Sequence, residues 1–552
     1  MRTLYDAQRL TLPQGAARHP VTWIALLMLG CSVLVLLPVI VSPYPPLADY
    51  PNHLARSYIL LNLSHSATLQ RYYRNVMQAQ PNLALDLGIP ALAHVMPIWT
   101  AGRVFVGLTL LAMSGGCILL HRALHGHWSS WPVIGFLFVY NRLFLWGFLG
   151  FLFALGAALA AAAAWYAVRR RRWPVRLAVG TLSATILYLL HLYALGIYGV
   201  IIGGFQLAEL LETRPCLPTR AWPWRETAGR WIVFALQFVP AIYLFRFVSP
   251  TSAAAGRISW GGISRKITAP FNVIYAYHLK LDVAMLAVVC VAALVLLLRR
   301  RVAVARTAYL PLAFLVALMF IMPDELFSSY GADRRIPIAL ALFAVAAIDW
   351  HAAPARLRRW CIGGFSALLG LRILLIWQVW NVAQPVYRGF ISAFDQLPAG
   401  TRLISAAPGV GGGLPKPPLF HVGAYAVILR NVFLPSLFAA PRDAGSAIAY
   451  TPSYAALRRR TPTVAIWPDV LAKLRNPGFA REDGPFRPDL IRAYDFGLAI
   501  DPGQIPRPAR LPTACPVTRR GPDFVLVRLR CQSPRHHWAG SASLRLQSNR
   551  PN

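Results

Sequence analysis

Acidic side chains are what this chain of 552 residues has least of. Asp and Glu together number 20 against 55 Lys and Arg, a formal charge of +35, and charged residues of either sign make up only 14%. Any carboxylate that catalyses or pairs with a cation must come from that short roster. Cysteine is sparse too. Five of the seven, Cys31, Cys117, Cys216, Cys290 and Cys361, fall in or near apolar segments without metal-ligand spacing, which excludes a structural zinc module. There is no P-loop, no glycine-rich dinucleotide fingerprint, no His-Glu-x-x-His and no Gly-x-Ser-x-Gly. Gly411–Gly413 has no helix signal after it and reads as a loop. No internal repeat is visible, and the apolar blocks hold few charges, which weighs against an ion-coupled transporter.

What is abundant is apolar sequence. Hydrophobic residues make up 57%, with mean hydropathy +0.49. They come in blocks of roughly 18 to 25 residues, the length that crosses a hydrocarbon core as a helix. Alternating barrel strands would look different, so the membrane part is expected to be helical. The basic excess does not point to nucleic acid. It lies in short runs abutting apolar blocks, such as Arg169–Arg172 and Arg299–Arg301, the pattern of cytoplasmic turns facing anionic lipid. The first block, Val21 to Val41, is long enough to span and lacks a small-residue cleavage site, so no signal peptide is expected.

Following the basic turns along the chain gives about eleven spans. They are expected at 21–41, 102–120, 131–140, 143–168, 177–190, 192–211, 231–248, 283–298, 308–322, 336–348 and 362–380. The N-terminus is then cytoplasmic and the C-terminal part lies on the opposite, periplasmic face of a bacterial inner membrane. The stretch 42–100 has no long apolar run. Its pieces His53–Leu63, Thr68–Gln78 and Leu83–Met96 read as interfacial helices on the outer surface. The division is a transmembrane helical domain over 1–383 and a periplasmic mixed α/β domain over 384–552, disordered from Ser533. That tail has strand-like runs at Thr463–Trp467 and Phe524–Leu529. Cys515 and Cys531 flank an expected hairpin there, and a disulfide between them is expected outside the cytoplasm.

The strongest local signal is Asp49-Tyr50-Pro51-Asn52-His53-Leu54-Ala55-Arg56, just past the first span. A helix starting near Tyr50 puts Asp49, His53 and Arg56 at i, i+4 and i+7, on one face. A carboxylate, an imidazole and a guanidinium so placed can deprotonate an acceptor and hold a phosphate. The plainer alternative is that Asp49 only caps the helix. A second signal is Asp324 and Glu325, then Asp333-Arg334-Arg335, at the outer end of a later span. Two adjacent arginines on the outside need compensation, either from a phosphate or from these three acids. Asn52, His191, Lys266 and His278 fall on the same side and are candidate lining for one outward-facing pocket.

An acid just beyond the first span, in a long outer loop followed by later outer arginines, resembles the GT-C superfamily of membrane glycosyltransferases. The resemblance covers the whole chain as architecture, but as motif only Asp49 with its neighbours and Asp333-Arg334-Arg335. It implies transfer of a sugar from a polyprenyl-phosphate donor to a glycan, lipid or protein acceptor, with membrane lipids as surroundings and inversion at the anomeric carbon in a single displacement. It also implies Asp49, with His53, in the catalytic role, and Arg56, Arg334 and Arg335 on the donor phosphate. Many members pair two acids in the first loop, whereas this chain has Asp49-Tyr50, with Asp86 far along. A divalent metal therefore stays open as a cofactor. Two other classes remain: a transporter or flippase for a lipid-linked saccharide, and a non-catalytic membrane scaffold with a periplasmic binding domain.

Overall fold

A computed structural model describes residues 21–212, 224–249, 258–326, 329–407, 418–440, 446–461, 465–466, 493–500 and 517–529. Among the described residues, seven helices are long and apolar enough to cross a membrane: Val21–Val41, Ile98–His125, Leu149–Val168, Trp173–Leu190, Leu192–Glu212, Leu279–Leu298 and Ala355–Phe394. A pair bent by 42°, Thr227–Leu236 with Val239–Val248, makes an eighth if it is one span. The other three expected spans are shorter. Tyr309–Ile321 and Arg335–Ala347 have 13 residues each, about 20 Å of helix at 1.5 Å per residue. The segment expected at 131–140 is not a spanning α-helix. It is a 3₁₀ helix, Trp131–Phe138, buried along its whole length, and the span expected at 143–168 is broken at Gly147.

The centre of the bundle is set by glycine. A Cβ on Gly116 would come within 2.2 Å of the Gly156 carbonyl oxygen, and one on Gly156 within 2.2 Å of the Ala112 carbonyl carbon. Ile98–His125 and Leu149–Val168 therefore touch backbone to backbone, the small-residue contact that helices use in lipid. A buried pair, Arg372 Nη1 to Asp282 Oδ1 at 2.7 Å, ties the Ala355–Phe394 helix to the start of Leu279–Leu298. Arg372 also donates to the Tyr140 carbonyl at 2.6 Å. At one end of the bundle, Val302–Val304 pairs antiparallel with Ile348–Trp350, which gathers the basic turns at Arg299–Arg301 and Arg356–Arg359 together.

The outer loop packs closely on the rest of the protein. Its first helix, Tyr50–Asn62, buries eight of its 13 residues against Ala84–Ala93 on one side and tail residues 422–430 on the other. The expected helix Thr68–Gln78 ends at Tyr72. Tyr73–Asn75 is instead a strand, antiparallel to Ile448–Tyr450 of the tail, with Tyr73 opposite Tyr450. Three aromatic or β-branched side chains in these strands pack better on a neighbouring strand than on a helix face.

The last long helix runs without a break from the bundle to Phe394. A five-stranded mixed sheet follows, in the order Val517–Arg520, Phe524–Arg528, Phe496–Ile500, Leu403–Ala407, Ala465–Ile466. Among the first three strands each neighbouring pair is antiparallel, and Leu403–Ala407 is parallel to both of its neighbours. The expected hairpin and the run Phe524–Leu529 are present, and of Thr463–Trp467 the described part, Ala465–Ile466, is a strand. Cys515, Cys531 and the segment from Ser533 lie outside the described residues.

Candidate functional site

Asp49 stands at the N-terminal boundary of the Tyr50–Asn62 helix, but its side chain makes no capping hydrogen bond. Its amide donates to the Trp146 carbonyl at 3.1 Å. A Cβ on Gly147 would lie 2.9 Å from the Asp49 Cβ, and Gly147 has φ +92°. Glycine is thus required there twice, for the turn and for the close approach. With the helix fixed in this way, the i, i+4, i+7 face carries Asp49, His53 and Arg56 onto the wall of one cavity of about 230 Å³.

That cavity is closed by residues far away in sequence. Asn82 and Leu85 come from the outer loop, and Phe148, Gly150 and Phe151 from the turn into a long helix. His191 comes from a turn between two more, Ser329 and Arg335 from the Arg335–Ala347 entrance, and Phe438 and Ser446 from the tail. The outer loop, the bundle and the tail all contribute, so the cavity sits where they meet.

The tail also holds Asp49 from behind. His421 Nε2 lies 3.4 Å from Asp49 Oδ1. Asn52, buried one residue past Tyr50 and Pro51, sets which way that imidazole is protonated. The Asn52 Oδ1 accepts from the Phe438 amide at 3.2 Å, and its Nδ2 donates to the Ser436 carbonyl at 3.1 Å. The same Nδ2 therefore donates to His421 Nδ1 at 2.8 Å. With Nδ1 accepting, the proton of a neutral ring sits on Nε2 and faces the Asp49 carboxylate. Burial pushes the His421 pKa down to about 3, so the ring is neutral at ordinary pH. His53 is also held neutral: burial first, then the charge of Arg56, keeps its pKa well below the usual value. Its Nδ1 has no hydrogen-bond partner, and its ring meets Phe438 edge-on at 5.4 Å.

The cations divide clearly. Arg56 Nε is 2.6 Å from Asp86 Oδ1, with both side chains buried. Asp324 pairs with Arg265, and Asp333 with Lys266 at 3.2 Å. The three acids expected to compensate the paired arginines are thus directed elsewhere or, in the case of Glu325, held in a two-residue strand pairing with Ser329–Tyr330. Arg335 has no carboxylate within 4 Å among the described residues. Its guanidinium donates to the Tyr330 carbonyl at 2.9 Å and to Ser329 Oγ at 3.3 Å. It lies over the rings of Phe148, Tyr193 and Phe151 at 4.8, 4.5 and 5.7 Å, contacts that hold a cation without neutralising it. Its Nε has no partner. Arg335 is therefore a buried cation on the cavity wall with no carboxylate in contact among the described residues, the Asp333 charge reaching it only from farther off.

Of the expected lining, His191 is on the wall, its Nδ1 accepting from the Tyr193 amide at 3.3 Å. Asn52 stands behind the wall and acts through His421. Arg334 is not on it; its guanidinium lies 5.0 Å from the Tyr330 ring. Lys266, Asp324, Glu325 and Asp333 belong to the ion-pair and strand contacts above. His278 is an exposed helix boundary whose amide donates to Asp282 Oδ2 at 3.1 Å. Asn82 and His421 were not anticipated. Asn82 has φ +72°, a conformation asparagine tolerates better than most residues, and its Oδ1 is buried without a partner. No group of three or more His, Cys, Asp or Glu side chains able to hold a metal ion occurs among the described residues.

No family model matches the chain, and no curated protein does. It is similar in layout to the crystal structure of ArnT from Cupriavidus metallidurans bound to undecaprenyl phosphate, with 13% identity, TM-score 0.48, and coverage of 93% of this chain and 99% of that one. The apo form of the same protein gives 13% identity and TM-score 0.47, covering 92% and 98%.

Proposed function

We propose that this chain is a membrane glycosyltransferase that moves a sugar from a polyprenyl-phosphate donor to an acceptor hydroxyl or amine, at the face of the membrane away from the cytoplasm. The observation that carries this reading is one cavity in which Asp49, backed by His421, shares a wall with His53 and an Arg335 that has no carboxylate within 4 Å among the described residues. Such a site supplies what the transfer needs and nothing that depends on a nucleotide.

The acceptor oxygen or nitrogen attacks the anomeric carbon. The bond from that carbon to the phosphate oxygen breaks, polyprenyl phosphate departs, and the acceptor proton passes to the Asp49 carboxylate. A single displacement inverts the anomeric configuration. Arg335 meets the charge that grows on the departing phosphate, and it does so in a buried setting where a fixed cation is worth more than in water. Neutral His53 and Asn82 offer hydrogen-bonding groups to the sugar. His421 positions Asp49; it does not touch the reacting atoms. The pairing of Arg56 with Asp86 gives that side of the wall no net charge, so the phosphate role passes from Arg56 and Arg334 to Arg335.

The orientation follows from charge. The cavity and tail lie at the opposite end of the long helices from the gathered basic turns, which the positive-inside preference puts in the cytoplasm. In a bacterial inner membrane the cavity and tail then face the periplasm. The test is a structure of the purified chain in lipid nanodiscs with added polyprenyl phosphate. The expected result is a phosphate beside Arg335 in the Asp49 cavity. A phosphate bound elsewhere, with this cavity still empty, overturns the reading.

A further inference from the structure

A second cavity, of about 190 Å³, is lined by Pro43, Tyr44, Trp99, Arg103, Ile391 and Leu429. It lies at the mouth of the bundle, just past the end of Val21–Val41 and in the first turns of Ile98–His125. It is separate from the first cavity, with which it shares no lining residue. The start of the Tyr50–Asn62 helix stands between them: Asp49 lines one, while the Tyr50 ring packs on Gly102, beside Arg103.

Aromatic residues at such a level often form no more than an interfacial belt. Arg103 goes beyond that. No carboxylate lies within 4 Å of it among the described residues, and its Nε is buried without a hydrogen-bond partner. The Tyr50 and Tyr425 hydroxyls close by are also buried and unpartnered. Tyr44 and Trp99 meet edge-on at 5.8 Å, and Trp99 and Tyr425 lie 5.2 Å apart. The nearby acid, Asp395, is turned to Arg430, with Nη2 and Oδ1 3.6 Å apart. Unmatched donors, an unpaired guanidinium and aromatic walls at the edge of the apolar bundle together describe a receptor for an anion on an apolar stem.

We propose that this cavity binds the phosphate-type head group of an amphiphile, with Arg103 as its cation and Tyr44 and Trp99 as its walls. The inference stands apart from the transfer reading, since it requires binding and no chemistry.

The test uses the full chain in detergent, carrying Arg335→Gln so that the first cavity does not compete, and calorimetric titration with dihexanoyl phosphatidic acid. One equivalent is expected to bind. Arg103→Gln is expected to weaken it by about tenfold or more, the loss of a charge-assisted contact. Leu429→Trp, which fills the cavity and leaves the cation in place, is expected to do the same, and it decides the matter if Arg103→Gln does not accumulate. Inorganic phosphate that competes at similar concentration identifies a head-group site open to free phosphate, and failure to compete identifies a lipid site. Equal binding of neutral dihexanoylglycerol, or an unchanged Kd in both variants, overturns the proposal.

Discussion

Replacing Arg335 by Gln removes the positive charge from the wall of the Asp49 cavity while keeping a planar polar side chain of similar reach. In the native chain two of its N–H groups are already used, on the Tyr330 carbonyl and Ser329 Oγ, and Nε has no partner. A phosphate would be met by the remaining donors. A hydrogen bond to a charged group contributes about 1.5–3 kcal/mol, so the Kd for a short-chain polyprenyl phosphate should rise about 10- to 150-fold. Arg335→Lys keeps the charge and loses the fork and much of the contact with Phe148 and Tyr193, so it should fall between the two. Because the group is buried, the loss should change little between low and moderate salt. The assay is calorimetric or thermophoretic titration of the purified chain, with thermal unfolding as the control for folding. A Kd within twofold of the parent in a well-folded Arg335→Gln protein would show that the phosphate is held elsewhere.

Three further outcomes follow from other parts of the structure. His421→Gln should lower turnover by about 10- to 100-fold, the effect of losing about 1.4–2.7 kcal/mol of transition-state orientation, while leaving the donor KM within about twofold; a KM change alone would count against a positioning role. Burial lowers the His421 pKa from its ordinary value to about 3, so the folded chain binds fewer protons than the unfolded one between those values. Stability should therefore be full above about pH 6.5 and fall by about 2 kcal/mol on going to pH 5. That share of the loss should vanish in a folded His421→Gln variant, as read from unfolding midpoints at the two pH values, and an identical pH slope would refute it. Gly156→Ala should destabilise by about 1–3 kcal/mol or more through overpacking, whereas Gly370→Ala, with open space around its Cβ position, should be neutral or slightly stabilising; equal effects would argue against backbone contact at Gly156.

The sequence shows the apolar helices, the sheet-bearing tail and the Asp49–His53–Arg56 face, because each follows from local spacing. It also groups His191 and Arg335 at the same end of the spans as Asp49, which the alternation of spans alone decides, and the three line one cavity. It does not show which cations are already neutralised. Lys266 and Asp333 are 67 positions apart, and nothing in either segment announces their contact. Arg56 and Asp86 are 30 apart, with the same result. His421 is the clearest omission. It stands 369 positions from the Asn52 that orients it, as a lone histidine in Leu-Phe-His-Val-Gly, and no local pattern marks it. The Tyr73–Asn75 strand escapes the local pattern for a related reason: its partner strand lies in the tail, and three residues are too few for periodicity to resolve.

The most direct test of the central claim is product release. Membranes containing the full chain, incubated with a panel of polyprenyl-phosphate monosaccharides and an envelope extract as acceptor, should release polyprenyl phosphate from at least one donor. Asp49→Asn, which keeps the shape and removes the base, should insert and accumulate normally yet release none above background. Full release by the Asp49→Asn protein would contradict the assignment of the base, and release from no donor by the parent chain would contradict the transferase reading itself.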